Sequence, residues 1–219
     1  MSRMRNDEAV IGEWIKGGEA FVFYREPGER VCHGIRAARS SLQSFEVFPS
    51  NDGKTGFVFA PFRFGEGHPL WLLPLEEEIE VGISRAVCSD EVEAPAPMPF
   101  CGRLEEQPSK EYREAFRAFS GALRAGDFQK LVLSRGCTDA FPHGFSWARA
   151  FTAACRRYVH SYVYLFHTPQ TGFWLGATPE ILLAGGKGEY RTVALAGTQF
   201  LQEGKLTVPW SEKNIREQA

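Results

Sequence analysis

Apolar residues in the first third of the chain arrive in runs of about five, and each run is cut short by residues that turn the backbone. Ala20-Phe21-Val22-Phe23-Tyr24 stops before Pro27-Gly28. Phe45-Glu46-Val47-Phe48 runs into Pro49-Ser50-Asn51-Asp52-Gly53, and Gly56-Phe57-Val58-Phe59-Ala60 ends at Pro61. Short apolar runs between Pro, Gly, Asn and Asp are strand-and-turn chemistry. The stretch from Glu19 to Leu75 is therefore predicted to be strands joined by turns.

The pattern then changes. Asp90 to Pro108 carries several prolines and acids, including Ala94-Pro95-Ala96-Pro97-Met98-Pro99, and reads as an extended connector. After it, Ser109 can cap a helix with Glu111 in its first turn. Tyr112, Phe116, Phe119 and Leu123 recur at helical spacing, and Gly126 is a natural stop. Phe128 to Cys137 reads as a strand. A second helix is expected over Ser146 to Arg157, with Ala148, Phe151, Thr152 and Cys155 on one side. Strands are expected at Ser161 to His167, Gly172 to Gly176 and Tyr190 to Ala196. Ser211 to Ala219 has the form of an opening helix, capped by Ser211 with Glu212 in the first turn. Strands first, then mixed helices and strands, favour an α+β sandwich over a doubly wound sheet.

Composition narrows the function classes. The formal net charge of −2 supplies no general electrostatic reason to bind nucleic acid or an anionic membrane. The 5 cysteines, at 32, 88, 101, 137 and 155, are odd in number and widely spaced, with no CxxC pair. That argues against a zinc site or a disulfide framework and for buried free thiols in a reducing compartment. The opening MSRMRNDEAVIGEW lacks the apolar core of a signal peptide, and no apolar run approaches the roughly 18 residues of a membrane span. A cytoplasmic protein is expected.

Three segments carry candidate chemistry. In Phe128-Gln129-Lys130-Leu131-Val132-Leu133-Ser134-Arg135, strand alternation puts Lys130, Val132 and Ser134 on one face. A lysine just inside an apolar strand loses hydration, which lowers its pKa and makes it a base. The plain alternative is a strand-end lysine with its amine in water. In Gly176-Ala177-Thr178-Pro179-Glu180-Ile181-Leu182-Leu183, Gly and Pro fix a turn and put Glu180 at the mouth of a strand, where it reaches a cleft or simply meets solvent. In Thr192-Val193-Ala194-Leu195-Ala196-Gly197-Thr198, a strand ends at a glycine whose bare backbone N–H groups can hold a carboxylate.

In this order and spacing the segments resemble the chorismate-utilising enzymes: anthranilate, aminodeoxychorismate, salicylate and isochorismate synthases. That family shows a Lys/Gln-x-Val-Leu-Ser-Arg strand, a Gly-Ala-Ser/Thr-Pro-Glu turn and a Leu/Ile-Ala-Gly-Thr/Ser strand end. A helix opening Lys-Asp/Asn-x-x-Glu follows, matched here by Lys213-Asn214-Ile215-Arg216-Glu217. The resemblance is strong from about Ser109 onward. It implies an α+β antiparallel-sheet and helix sandwich of the anthranilate synthase component I type.

Two positions choose among members. Enzymes of the family that add water carry lysine where Lys130 stands; anthranilate synthases, which add ammonia, usually carry glutamine. Aminodeoxychorismate synthases typically place a nucleophilic lysine where Ala196 stands, and alanine cannot serve that role. Isochorismate synthase is the closest likeness, with salicylate synthase beside it, and a menaquinone or siderophore pathway follows. The resemblance implies Lys130 as the base that activates water for attack at C2 of chorismate, and Glu180 as the acid that protonates the hydroxyl leaving C4. Neutral Lys and protonated Glu side by side would exchange the proton and form an ion pair, so the substrate must lie between them. Mg2+ would clamp the ring carboxylate with Glu217 as one ligand. Gly197 and Thr198 would form part of the substrate-binding wall.

Family members continue into a long second half that supplies a further metal-binding glutamate and the grip on the substrate carboxylates. By resemblance, residues 1–219 are the N-terminal part of a single chorismate-binding domain: a variable strand-rich portion and connector over 1–107, and a motif-bearing portion over 108–219. The expectation is an incomplete fold, weak or absent magnesium binding, partial or no activity, and self-association through uncovered surface. The rival class is a non-catalytic binding module derived from the family.

Overall fold

The computed structural model describes residues 7–48, 53–83, 108–136, 138, 140–186, 188–195, 197–199, 201–202, 205–212 and 214–215. The chain divides into two compact units, Met1–Arg85 with Ser146–Ala219, and Ala86–Phe145. The described helices are α1 (Asp7–Gly17), α2 (Lys110–Ala125) and α3 (Trp147–Arg157). The architecture is α+β, with every described strand pair antiparallel.

The first unit is built on β1 (Ala20–Arg25), β2 (Val31–Ala37), β3 (Gln43–Phe45), β4 (Gly56–Phe59), β5 (Leu70–Pro74) and β6 (Glu77–Gly82), joined by β7 (Tyr162–Thr168) and β8 (Gly172–Thr178). Five strands form one sheet in the order β6-β2-β1-β7-β8, and three form a second in the order β3-β5-β4. Both faces of the larger sheet are covered, which explains why β1 reads as an unbroken apolar run. Alternation sends Phe21 and Phe23 toward the helices, where they pack with Val10, Ile11 and Trp14 of α1 and Ala148, Phe151 and Cys155 of α3. It sends Ala20 and Val22 the other way, against Ile35, Leu73 and Phe166, with Phe57 and Phe59 of the smaller sheet beside them. Each fully buried Phe contributes roughly 1.5–3 kcal/mol of transfer free energy. Ser146 caps α3 by accepting the Arg149 N–H at 3.3 Å, and Ala148, Phe151, Thr152 and Cys155 are the buried residues of that helix, as the spacing predicts. Helix α1 was not anticipated. Val10, Ile11 and Trp14, all buried, carry its helical period.

One buried cation holds this unit together. Arg25, 1% exposed, ends β1 on the helix side. Its Nη1 donates to the carbonyls of Glu26 (2.8 Å) and Val159 (2.9 Å). Its Nη2 donates to those of Tyr158 (2.6 Å) and Ser161 (3.0 Å). Three of these oxygens lie just beyond the C-terminus of α3, where carbonyls lose their intrahelical partners and a cation is favoured. The guanidinium fork thereby fastens the α3–β7 corner to the end of β1.

In the second unit α2 forms as read. Ser109 Oγ accepts the Tyr112 N–H at 3.2 Å, and Gly126 closes the helix with φ 81°. Its stripe of Tyr112, Phe116, Phe119 and Leu123 buries none of its members. The strand expected over Phe128 to Cys137 is corrected: residues 128–136 adopt no regular structure, and Cys137 lies outside the described residues. Alternation makes a strand only when a neighbouring ladder takes its N–H and C=O groups, and no strand is described in this unit. The strand expected over Tyr190 to Ala196 shrinks to β10 (Glu189–Arg191), paired with β9 (Ala184–Gly186). Two further short strands, β11 (Leu201–Gln202) and β12 (Lys205–Leu206), pair with each other. The Phe45 to Phe48 run is strand only up to Phe45, and Phe48 is exposed. The proline-rich connector, apart from Pro108, lies outside the described residues.

Replacing Arg25 by lysine keeps the charge but loses the fork, so a single amine cannot serve the four carbonyls that Nη1 and Nη2 reach. Urea unfolding should show a loss of about 2–4 kcal/mol, and an unchanged midpoint would mean the corner closes without the arginine.

Tyr24 and Tyr162 stack with ring centroids 5.6 Å apart. Burial first, then Glu78 and Glu26 nearby, push Tyr24 above the ordinary tyrosine value of 10.0. Burial first, then Tyr24 and Glu26, push Tyr162 higher still. Above pH 10.0 an unfolded tyrosine releases a proton that these two retain, so the folded state binds more protons and stability falls as pH rises. Comparing urea midpoints at about pH 9 and about pH 11 should show a smaller loss for Tyr162→Phe than for the parent chain. Equal losses would remove Tyr162 as a source of the alkaline slope.

Candidate functional site

Strand β8 delivers the first part of the site. Its Gly176 pairs with Tyr164 of β7, and a Cβ at Gly176 would sit 2.5 Å from the Tyr164 ring. The glycine is required because an aromatic ring lies across it, not because a turn starts there, as the sequence reading supposed. The chain leaves the strand after Thr178, whose Oγ1 accepts the Glu180 N–H at 3.1 Å. That local bond holds the two-residue exit containing Pro179 in a fixed form.

The segment after Glu180 lies alongside the segment that ends in Gly197. Val193 N–H donates to the Ile181 carbonyl at 2.8 Å, and Thr192 Oγ1 donates to the same oxygen at 3.3 Å. Glu180 Oε1 accepts the Leu195 N–H at 3.4 Å. The carboxylate is therefore tied to the backbone at Leu195, while its side chain remains exposed. Gly197 takes φ 70°, and a Cβ there would lie 2.9 Å from Cγ of Asn214. Asn214 belongs to a helical turn opened by Ser211, whose Oγ accepts the Asn214 N–H at 3.2 Å and whose carbonyl accepts the Ile215 N–H at 3.0 Å. The Ser211 cap stands as read.

Three of the four sequence segments thus meet in the first unit: Glu180, the Leu195–Thr198 end with exposed Gly197 and Thr198, and Asn214. Lys130 belongs to the second unit, where it is exposed on the irregular segment after α2. Glu217 and Ala196 lie outside the described residues. Among the described residues no group of three or more His, Cys, Asp or Glu side chains is placed to hold a metal ion. No helix among the described residues is long and apolar enough to cross a membrane.

Sequence reasoning did not identify the Leu195 N–H, the Thr178 hydroxyl or Asn214 as parts of this arrangement. Thr178 could have been found, because a hydroxyl two residues before Glu180 is a turn signal in its own right. The contact between Asn214 and Gly197 had no local signal.

A family described as chorismate binding enzyme matches residues 75–206, more than half of the chain. That span contains Lys130, Glu180, Gly197 and Thr198, and ends before Asn214. No curated protein and no solved structure matches the chain.

The Gly197 turn makes a stability prediction. Gly197→Ala forces a side chain into a left-handed backbone at φ 70° and against Asn214. It should cost about 1–2 kcal/mol in urea unfolding. Adding Asn214→Ala should recover only the part due to the clash. A Gly197→Ala chain as stable as its parent would show that the turn is not built this way.

Proposed function

Because the chain belongs to the chorismate-binding enzyme family, we propose that it serves isochorismate synthesis, with water added at C2 of chorismate as the hydroxyl leaves C4. The observation that carries this reading is the seat of Glu180. Its Oε1 accepts the backbone N–H of Leu195, two residues before Gly197. A protonated carboxyl has one oxygen that accepts and one that donates. With Oε1 accepting from Leu195, Oε2 is the oxygen left to present a proton to a departing hydroxyl.

The other roles in the proposal follow from residue chemistry. Lys130 takes a proton from the attacking water. Lysine rather than glutamine at this position supports water over ammonia as the nucleophile. Ala196 has no amine, which argues against a covalent route through that position. Gly197 and Thr198 line the wall against which the substrate rests. Magnesium, with Glu217 as one ligand, would neutralise the ring carboxylate when bound. The proposed architecture is the antiparallel-sheet and helix sandwich of the anthranilate synthase component I type.

The test is product analysis after incubating the protein that carries this chain with chorismate and Mg2+. Isochorismate should accumulate without ammonia and without release of pyruvate. Pyruvate release would point to salicylate formation, and an ammonia-dependent aminated product to the anthranilate reaction. Lys130→Ala and Glu180→Gln should each lower kcat by about 10²–10⁴-fold with a much smaller change in KM. Unchanged turnover in either variant would remove that residue from the mechanism.

A further inference from the structure

The larger sheet ends in two edges of opposite character. At one edge β6 carries Glu77, Glu78 and Glu80 among its 6 residues. At the other, β8 reads Gly172-Phe173-Trp174-Leu175-Gly176-Ala177-Thr178, with no charge and no proline in 7 residues. Its register with β7 runs unbroken from Tyr162↔Thr178 to Thr168↔Gly172, so no bulge turns it aside. Charge, proline and bulges are the devices that keep a strand edge from pairing with another chain. Strand β6 has the first of them and β8 has none.

Among the described residues β8 pairs with β7 alone, and no backbone hydrogen bond outside that ladder involves it. Alternate N–H and C=O groups of such a strand point away from the sheet. The strand is also held firmly. Phe173 stacks on Trp147 of α3 with centroids 4.9 Å apart, and Trp174 lies 5.3 Å from Phe59 of the smaller sheet. Even so, Trp174 is 48% and Leu175 37% exposed. Both faces of β8 are supported while its edge stays open, which makes it a preformed template for one more strand.

The residues of β8 state which strand fits. A twofold axis through Leu175, perpendicular to the sheet, lays a second β8 antiparallel to the first. Paired residues then share a face. Leu175 meets Leu175 of the partner subunit, Trp174 meets the partner's Gly176, and Phe173 meets the partner's Ala177. Each ring falls opposite the smallest side chains of the strand, and no like charges oppose one another. The same operation at β6 would crowd its glutamates against their copies. Pairing β6 to another copy's β8 would leave an open edge at each end and polymerise rather than close.

We propose that β8 is a homodimer interface, in which two copies of this chain pair β8 to β8 about Leu175 and join their two sheets into one. Backbone hydrogen bonds supply the attraction, and the large-against-small pattern sets the register. An interface of one strand pair is small, so the association is weak and concentration-dependent.

The experiment is sedimentation equilibrium of the chain across a concentration series. It should be mostly monomer at about 1 μM and mostly dimer at about 100 μM. Leu175→Lys sets two like charges face to face at the axis and should weaken the dimer by about tenfold or more, as should Leu175→Glu. Mixing the two variants should restore dimers that contain one of each. Phe116→Glu, on the exposed stripe of α2, should leave association unchanged. Amide exchange of the unmodified chain, which does not depend on how the variants fold, should slow in Gly172–Thr178 as concentration rises. A chain that stays monomeric at about 100 μM would overturn the proposal. So would a mixture of the two charge variants that fails to associate, growth beyond the dimer, loss of the dimer in Phe116→Glu, or β8 amides whose exchange ignores concentration.

Discussion

The Arg25 guanidinium is the point on which the first unit turns. It donates to the carbonyls of Tyr158, Val159 and Ser161 just past α3 and binds them to the end of β1. The corner it closes is the one from which β7 departs. Strand β7 pairs with β1 on one side and β8 on the other, and β8 runs into Glu180. The position of the candidate acid is therefore inherited, strand by strand, from a cation with no described carboxylate partner. Such a site is costly to desolvate and stable only while its hydrogen bonds are complete.

The two faces of the central sheet divide the labour. The helix side holds the larger aromatic cluster, in which Trp14, Phe21, Phe23 and Phe151 interlock edge to face or at a tilt. The opposite side holds the smaller sheet and the stacked rings of Tyr24, Phe57 and Tyr162. The Tyr164 ring lies over Gly176 on the same sheet. A glycine in the middle of a strand sacrifices side-chain packing, and here an aromatic ring from the next strand restores it. That exchange lets β8 reach Thr178 in register, so that the turn to Glu180 begins at a defined place.

Much of the local structure was legible because its cause is local. Ser109 and Ser146 cap helices with bonds that span three residues, and Gly126 ends one by its own backbone freedom. Ala148, Phe151, Thr152 and Cys155 are buried because a helix repeats its face every three to four residues. The run from Lys130 to Arg135 has equally regular alternation, yet it forms no strand. Alternation states which residues would share a face; pairing needs a second chain segment that local pattern does not name. The role of Arg25 was invisible for a related reason. An arginine at the end of an apolar run looks like a boundary residue in solvent, and only the arrival of residues 158–161 from elsewhere in the chain makes it a buried staple.

The same distinction governs the candidate site. The sequence by itself determined which residues could act: the acid in Gly176-Ala177-Thr178-Pro179-Glu180, the glycine end at Gly197 and Thr198, the lysine at Lys130, and the family to which their order belongs. Tertiary structure decided the contacts: Glu180 on the Leu195 N–H, Asn214 against Gly197, and Arg25 on the carbonyls of residues 158, 159 and 161. Residue type and short-range spacing are properties of the chain and can be read along it. Contacts between segments fifteen or more residues apart arise only when burial and hydrogen bonding together outweigh the entropy of closing the loops between them.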